Sequence, residues 1–458
     1  MASNLIHICC RYFSLAPTPT ITNNRFSIFY HATFLPMMFL RFRLLAVFSL
    51  AYFVSYLFRG VNLGFAPFLT HELGLSTVDL GTLTSLYFLG LAGAQIPAGV
   101  MLDHFGPRRV TALLMLVAAA GAMLSGLTHS LGVMLAGRLL IGVGVSACLG
   151  GAFKATSQHF PTGQLTFVNG IVMAAGGVGG IVVGSPLTWL LSVVDWRTIT
   201  VGLATATAVT AAAVWLFAPP AYDKAQGATF AEQFAGTWHV LRSHAFWKLA
   251  AFSGLTQGVF YAMQSLWVGA FLRDVVFVRA SAQAAASRSA AIISVLGMAF
   301  IVGNIAFGGW ARLAQKRGVS VYVFSGVAMV LFVLTQLAIA LRAPLPEPIL
   351  WAAYGAFGGT GVLTYSVLAN HFPARLIGRV NATFTLVIFL TIFVLQAAIG
   401  AVLARVPTSA GHHLAVDHQY MWIILVVLQS CTGIWYFLPT KKRHPQPAST
   451  VAISADYN

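Results

Sequence analysis

Gly99-Val100-Met101-Leu102-Asp103-His104-Phe105-Gly106-Pro107-Arg108-Arg109 sits between two long apolar runs. It packs one acid, two arginines and two glycines into eleven residues of a chain with little other charge nearby. Gly and Pro turn the backbone sharply. A short polar turn of this kind lets a membrane helix leave the bilayer and re-enter it. The two runs around it therefore read as consecutive spans, and similar runs fill the rest of the chain.

Of 458 residues, 58% are hydrophobic and 8% charged, whereas a soluble domain carries about 25% charged residues. Apolar stretches of about twenty residues recur, each long enough to cross ~30 Å of hydrocarbon. In lipid each segment must satisfy its own backbone polar groups, which leaves helices as the fitting element. The expected fold is an all-α polytopic membrane protein. The net charge of +16 is not read as a nucleic-acid surface. The Lys and Arg fall mostly in short turns on one side of the spans, a bias that sets topology. Cys9, Cys10, Cys148 and Cys431 show no disulfide or metal spacing. No nucleophile–base set or phosphate loop stands out. No catalysis, cofactor or metal is expected, and the expected partners are the bilayer and a small-molecule substrate bound by a monomer.

Residues 1–40, which contain no acid, read as a poorly ordered extension, with a transit-type segment or a later start at Met37 or Met38 as alternatives. Twelve spans are predicted. Six lie at about 44–70, 80–102, 110–128, 132–154, 166–191 and 198–217, forming an N-terminal bundle over 41–217. A polar linker covers 218–245. Six more lie at about 246–272, 289–311, 320–341, 349–370, 380–404 and 419–438, forming a C-terminal bundle over 246–438. A basic, then Pro/Ser-rich tail, expected to be disordered, runs over 439–458. Arg41, Arg43, Arg108, Arg109, Arg242, Lys248, Arg312, Lys316 and Arg379 fall on one side. Arg197, Arg273, Arg279, Arg288 and Arg342 fall on the other. This places both termini and the linker in the cytoplasm of a bacterial inner membrane.

The halves repeat. His159-Phe160-Pro161 and Asn169 recur as His371-Phe372-Pro373 and Asn381, and Leu45-Ala-Val-Phe-Ser49 recurs as Leu249-Ala-Ala-Phe-Ser253. Gly309-Trp-Ala-Arg312-Leu-Ala-Gln-Lys316-Arg317-Gly318 is a degraded second copy of the opening stretch.

A cation inside a span is costly and marks a site or pathway. Arg59 lies about 16 Å from the outer end of the first span, and Arg138 about 10 Å inside the outer end of the fourth, at 1.5 Å per residue. Their similar depth suits one cavity. Lys154, nearer a span end, is expected to snorkel to the interface. Tyr52, Tyr56 and Arg59 follow i, i+4, i+7 spacing and share a helix face with Asn62. Gln257, Tyr261 and Gln264 repeat that spacing on the seventh span, and Tyr365 and Gln95 are further candidates. Each polar residue alone also suits an interhelical hydrogen bond. None of the ten acids falls within a predicted span, which favours an anionic substrate and disfavours an acid relay for protons. Asp103 is expected to gate by meeting the positive helix N-terminus near Arg379 and Asn381, the alternative being a pair with Arg108 or Arg109.

The opening stretch resembles the loop between the second and third helices of the major facilitator superfamily, whose pattern is Gly-x-Leu/Met-Ala-Asp-Arg-x-Gly-Arg-Arg/Lys. Gly99, Met101, Asp103, Gly106 and Arg108 fit, while Leu102, His104 and Pro107 depart from it. The resemblance implies two pseudo-symmetric six-helix bundles that rock around a substrate, with Gly99, Asp103, Gly106, Arg108, Arg109 and Arg379 in the gate. Arg138-x-x-x-Gly142-x-Gly144 resembles the fourth-helix arginine motif of the same superfamily. Arg59-Gly-Val-Asn62-Leu-Gly-Phe-Ala66 resembles the first-helix stretch of its anion:cation symporter branch, which implies that Arg59 contacts an organic anion. Phe58 and Val145 stand where that branch has its coupling carboxylates. The glycines at 176–180 loosely resemble the fifth-helix motifs of drug antiporters and nitrate porters, and read as helix packing. Transport of a small organic anion is the leading expectation. Drug or metabolite efflux, nitrate-type transport and a non-transporting membrane sensor are the alternatives.

Overall fold

The computed structural model describes residues 24–161, 164–220, 230–372, 377–404 and 415–439, with side chains from residue 38 onward except at 166, 230, 233, 362, 369, 370 and 415. It is helical along nearly its whole described length. The first half runs through α1 (Asn24–Leu73), α2 (Thr77–Phe105), α3 (Pro107–Leu127), α4 (Leu131–Val145), α5 (Ala147–His159), α6 (Leu165–Val182), α7 (Ser185–Leu191) and α8 (Trp196–Phe217). A short α9 (Phe230–Leu241) follows. The second half begins with α10 (His244–Ala262), which continues through wide π-turns at Met263–Trp267 and Leu272–Val276 around the one-turn α11 (Val268–Phe271). It then holds α12 (Ala282–Lys316), α13 (Val321–Ala340), α14 (Glu347–Gly358), α15 (Gly361–His371), α16 (Ile377–Ala404) and α17 (Ala415–Phe437).

All twelve predicted spans are helical over most of their length. Among the described residues nine helices are long and apolar enough to cross a membrane, or ten if α6 and α7, bent by 44°, count as one span. The sequence reading differs from the structure in three ways. Helix α1 starts at Asn24, inside the stretch expected to be poorly ordered, and residues 1–23 lie outside the described ones. Helix α9 lies inside the segment read only as a polar linker. The fourth, fifth and tenth predicted spans are interrupted, at Ser146, at Val183–Gly184 and at Gly359–Thr360, and the seventh is widened by the π-turns. Lys224 and the basic tail over 440–458 lie outside the described residues.

Local chemistry explains the ends. Gly106 takes φ +79°, closed to most side chains, and Pro107 opens α3. Ser76 and Asp79 form a reciprocal capping box at the start of α2. Last-turn carbonyls, which no helix satisfies by itself, are met by the basic residues that set topology. Arg41 donates to the His159 carbonyl at 2.9 Å and Arg43 to that of Phe217 at 3.2 Å. Arg108 donates to the Trp215 carbonyl at 2.6 Å, and Lys248 donates to that of Leu438. We call this the Arg108 end. At the opposite, Glu72 end, Arg197 donates to the Thr128 carbonyl at 2.6 Å, and Trp196 Nε1 donates to the Glu72 carboxylate at 2.8 Å.

Small residues draw helices together where side chains would hold them apart. Two seams join the halves. Along α2 and α16, a Cβ on Gly81 would lie 2.8 Å from the Gln396 carbonyl, and one on Gly400 would lie 2.8 Å from that of Thr77. Along α6–α7 and α12, a Cβ on Gly177 would meet the Ile301 side chain at 2.4 Å, and one on Gly184 would meet the Ser294 hydroxyl at 2.3 Å. The Ser185 backbone N–H donates to that same hydroxyl at 2.9 Å, which satisfies a donor freed by the bend. These close approaches lie from mid-helix toward the Glu72 end. At the Arg108 end, α9 packs against both α2 and α16, with Gly236 seated against the Arg379 side chain.

Candidate functional site

Arg59 is carried at mid-length on the membrane-crossing part of α1 and is 9% exposed. Rings from both halves surround its guanidinium. Tyr56 lies 4.8 Å away on α1, Tyr261 5.0 Å away on α10 and Phe389 6.0 Å away on α16, measured to ring centroids. A cation over an aromatic face is attracted by the ring quadrupole, more strongly once desolvated. Tyr52 stacks edge-on against Tyr56, with centroids 6.1 Å apart. Room for these rings comes from the α6 glycines, since a Cβ on Gly176 would meet Tyr52 at 2.3 Å and one on Gly180 would meet Tyr56 at 3.2 Å. Those glycines thus serve the site as well as the seam.

A cavity of about 10 Å³ remains beside the guanidinium, lined by Tyr56, Gly60, Gly180, Val183, Gln264 and Ser265 among others. That is about one water's worth of space, so a larger occupant requires the helices to part. Arg59 Nε is buried with no hydrogen-bond partner among the described residues, and the buried Tyr56 hydroxyl has none beyond the guanidinium it faces. Unmet buried donors of this kind are rare and call for an explanation.

The second half supplies its wall through the π-turn at Met263–Trp267. Widening the helix there frees the Ala262 carbonyl from the regular ladder. Gln396 of α16 donates to that carbonyl at 2.8 Å and to the Ser265 hydroxyl at 2.5 Å. Gln264, in the same π-turn, lines the cavity beside Arg59. Single π-turns of this type recur at functional positions.

The remaining residues singled out by spacing divide into groups. Asn62 donates to the Thr84 hydroxyl at 2.9 Å and ties α1 to α2. Gln257 donates to the Gly361 carbonyl at 3.1 Å and bridges the break between α14 and α15. Tyr365 shares a 3.0 Å hydrogen bond with the Thr385 hydroxyl. Arg138 is 3% exposed, and its titratable neighbour is Tyr87 rather than any carboxylate. Gly99 is half-buried and Arg109 exposed. Asp103 forms an ion pair with Lys154 of α5, the residue read from sequence as snorkelling. Sequence spacing did not single out Tyr87 or Phe389.

The acids lie at the helix ends. Glu72 and Glu347 accept from Trp196 and Trp351, and Asp79 and Asp195 cap α2 and α8. Asp274 meets His418 at 3.3 Å, and Asp103 meets Lys154. Glu232 lies on α9 and Asp417 in the first turn of α17, while Asp223 and Asp456 fall outside the described residues. Tyrosines, and no carboxylate, make up the titratable surroundings of Arg59. No group of three or more His, Cys, Asp or Glu suited to a metal occurs among the described residues.

Residues 48–396 match the family model of the Major Facilitator Superfamily. The chain is similar to a protein described as a probable sulfoacetate transporter of Cupriavidus necator, 30% identical over 158 residues, which is 34% of this chain and 36% of that one. It is similar to the hexuronate transporter of Escherichia coli, 24% identical over 34% of this chain and 37% of that one. The match thus spans about a third of each relative's length. Among solved structures, a mutant of the nucleoside transporter NupG superposes with a TM-score of 0.69 at 14% identity, covering 87% of this chain and 98% of that one. At that identity the likeness speaks for the fold alone.

Proposed function

We propose, for a chain that belongs to the Major Facilitator Superfamily of membrane transporters, that its substrate is a small organic anion held at Arg59. The observation that carries this reading is the buried Arg59 guanidinium, faced by rings from both halves and by no carboxylate. A desolvated charge without a counter-charge is expensive. Aromatic faces offset part of that cost, and an incoming carboxylate or sulfonate offsets the rest through charge-assisted hydrogen bonds to the guanidinium fork. Tyr56 and Gln264 supply further polar contacts, and the tyrosine rings accommodate the organic body. The named substrates of the two relatives above are both anions.

In this reading the seams near the Glu72 end are the closed gate. The halves rock about Arg59, and α9 spans the opposite end. The excess of Lys and Arg at the Arg108 end supports a cytoplasmic position for that end and for both termini. With no carboxylate beside Arg59, coupling runs through anion exchange, facilitated flow, or a proton carried on the substrate itself.

The test is uptake of labelled sulfoacetate and glucuronate into proteoliposomes, with and without a pH gradient. Arg59→Gln is expected to lower uptake by about a hundredfold or more, the scale for removing one partner of a buried charge pair. Arg59→Lys, which keeps the charge but loses the planar fork, is expected to retain a small fraction. Normal uptake by Arg59→Gln would overturn the reading.

A further inference from the structure

A second buried cation lies across Tyr87 from Arg59. Arg138 on α4 is buried, and its Nε has no hydrogen-bond partner among the described residues. Tyr87 of α2 is in electrostatic reach of both guanidiniums. Backbone packing fixes that placement. Gly142, one turn beyond Arg138, lets α2 approach until a Cβ there would lie 2.0 Å from the Tyr87 carbonyl oxygen. On its other side the Tyr87 hydroxyl donates to the Ser55 carbonyl at 3.1 Å, and Ser55 is one turn before Arg59. Tyr87 therefore sits between the helices that carry the two arginines. Its hydroxyl proton is committed to Ser55, so only lone pairs remain for the cations. Those soften a doubly positive region but do not neutralise it.

Resting on the reading of Arg59 as the anion site, we infer that the substrate is a dianion, with two acidic groups on a short skeleton, such as a dicarboxylate or a sulfonated carboxylate. Arg59 takes one group, and Arg138, across Tyr87, compensates the second. A monoanion leaves one buried cation without a counter-charge, and a neutral solute leaves two. Phe58, next to Arg59, and Val145, seven residues after Arg138, are apolar and supply no internal charge to take the place of the second anionic group.

The experiment compares anions of matched size that differ by one charge: sulfoacetate against sulfoacetamide, and succinate against succinamate. Uptake into proteoliposomes is measured for wild type, Arg138→Gln, Arg138→Lys and Arg59→Gln. Wild type is expected to prefer each dianion by at least about tenfold, as a buried uncompensated charge disfavours the monoanion. Arg138→Gln is expected to bring that ratio to about one while still carrying the monoanion, and Arg138→Lys to restore the preference. A wild-type ratio near one, or an unchanged ratio in Arg138→Gln, overturns the dianion assignment. If Arg138→Gln carries neither anion, Arg138→Lys decides: a ratio matching wild type supports the assignment, and a ratio near one overturns it. Normal transport by Arg59→Gln overturns instead the anion site itself, so the two failures are told apart.

Discussion

Packing repeats between the two halves while charge does not. In the first half α2 and α4 cross on Gly90 and Gly142, where added Cβ atoms would lie 2.3 Å from the Leu139 carbonyl and 2.0 Å from that of Tyr87. In the second, α12 and α14 cross on Gly303 and Gly355, with the Ala356 carbonyl at 2.2 Å and that of Leu296 at 2.3 Å. Both glycines recur 213 positions later. The turn glycines recur too, Gly106 at φ +79° and Gly318 at φ +83°. His159 and His371 each bond back to the carbonyl four residues earlier, at 2.9 and 2.8 Å, before a Phe in extended backbone. The cations break the pattern. Using the offsets of the repeats, 204 positions after Arg59 stands Met263, and 213 after Arg138, as for Gly142 and Gly355, stands Trp351. The first half holds the charge, and the second contributes neutral rings and amides. A duplicated scaffold thus keeps what folding needs and differs where a ligand is met.

The largest expected effect tests the shared part. Gly142→Val and Gly355→Val each drive a side chain into a neighbouring helix's backbone, which cannot rotate away. Each is expected to cost about 3 kcal/mol or more, above the usual range for overpacking, with a large drop in melting temperature in detergent and loss of the monodisperse species. Equal losses sharpen the equivalence of the two crossings. A well-behaved Gly355→Val protein would break it.

Much of this architecture was legible in the chain. Run length located the long apolar helices, nine or ten of which are fit to cross a membrane among the described residues, since lipid thickness fixes the number of apolar residues a helix needs. Helical spacing brought Tyr52, Tyr56 and Arg59 together, and independently Tyr261 and Gln264. What escaped depends on partners far apart in sequence. The π-turn at Met263–Trp267 is held by Gln396, more than a hundred residues on. Phe389 reads as one apolar residue among many in α16, and Tyr87 belongs to no polar stripe. Lys154 and Asp103 are 51 residues apart and on different helices. Helix α9 was hidden by its polar surroundings, although Phe230, Phe234 and Trp238 carry a four-residue rhythm.

An intermediate effect tests the contact within the second half that shapes its side of the site. Gln396 is fully buried and meets the Ala262 carbonyl that the π-turn releases. Gln396→Leu keeps the size and removes the donor. It is expected to cost about 1–3 kcal/mol, the range for orphaning a buried polar group, and to lower uptake by shifting Gln264. Gln336→Leu is the control, a buried amide of the same half away from the π-turn. Gln336 and Gln429 exchange reciprocal amide bonds at 3.0 and 2.8 Å, so the loss should be comparable in stability but absent from the substrate affinity of the folded fraction. Equal affinity changes in both variants would show that the Gln396 bond at the π-turn has no special link to the site.

The smallest expected effect concerns the Arg108 end, where the halves differ again. Asp103 pairs with Lys154, and the side chains are 34% and 21% exposed. The corresponding position of the second copy, 209 further on as for Gly99 and Gly308, is the exposed Arg312. A partly hydrated pair gains little over its separated ions, so Lys154→Met is expected to cost at most about 1 kcal/mol of stability. Asp103→Asn is expected to match it, because each removes the same attraction. Arg312→Ala should change nothing measurable. Transport separates a brace from a gate. A brace that merely fixes α2 to α5 loses stability and leaves uptake rates intact. If the pair must break or re-form as the halves rock, either substitution changes the rate severalfold at a stability loss too small to explain it, since a shift of about 1 kcal/mol between two conformations alters their ratio about fivefold. Uptake rates of the two single variants and the double, at matched amounts of folded protein, give the answer. Non-additive rates with near-neutral stability place the Asp103–Lys154 pair in the gate, and additive, unchanged rates leave it as a brace of the first half alone.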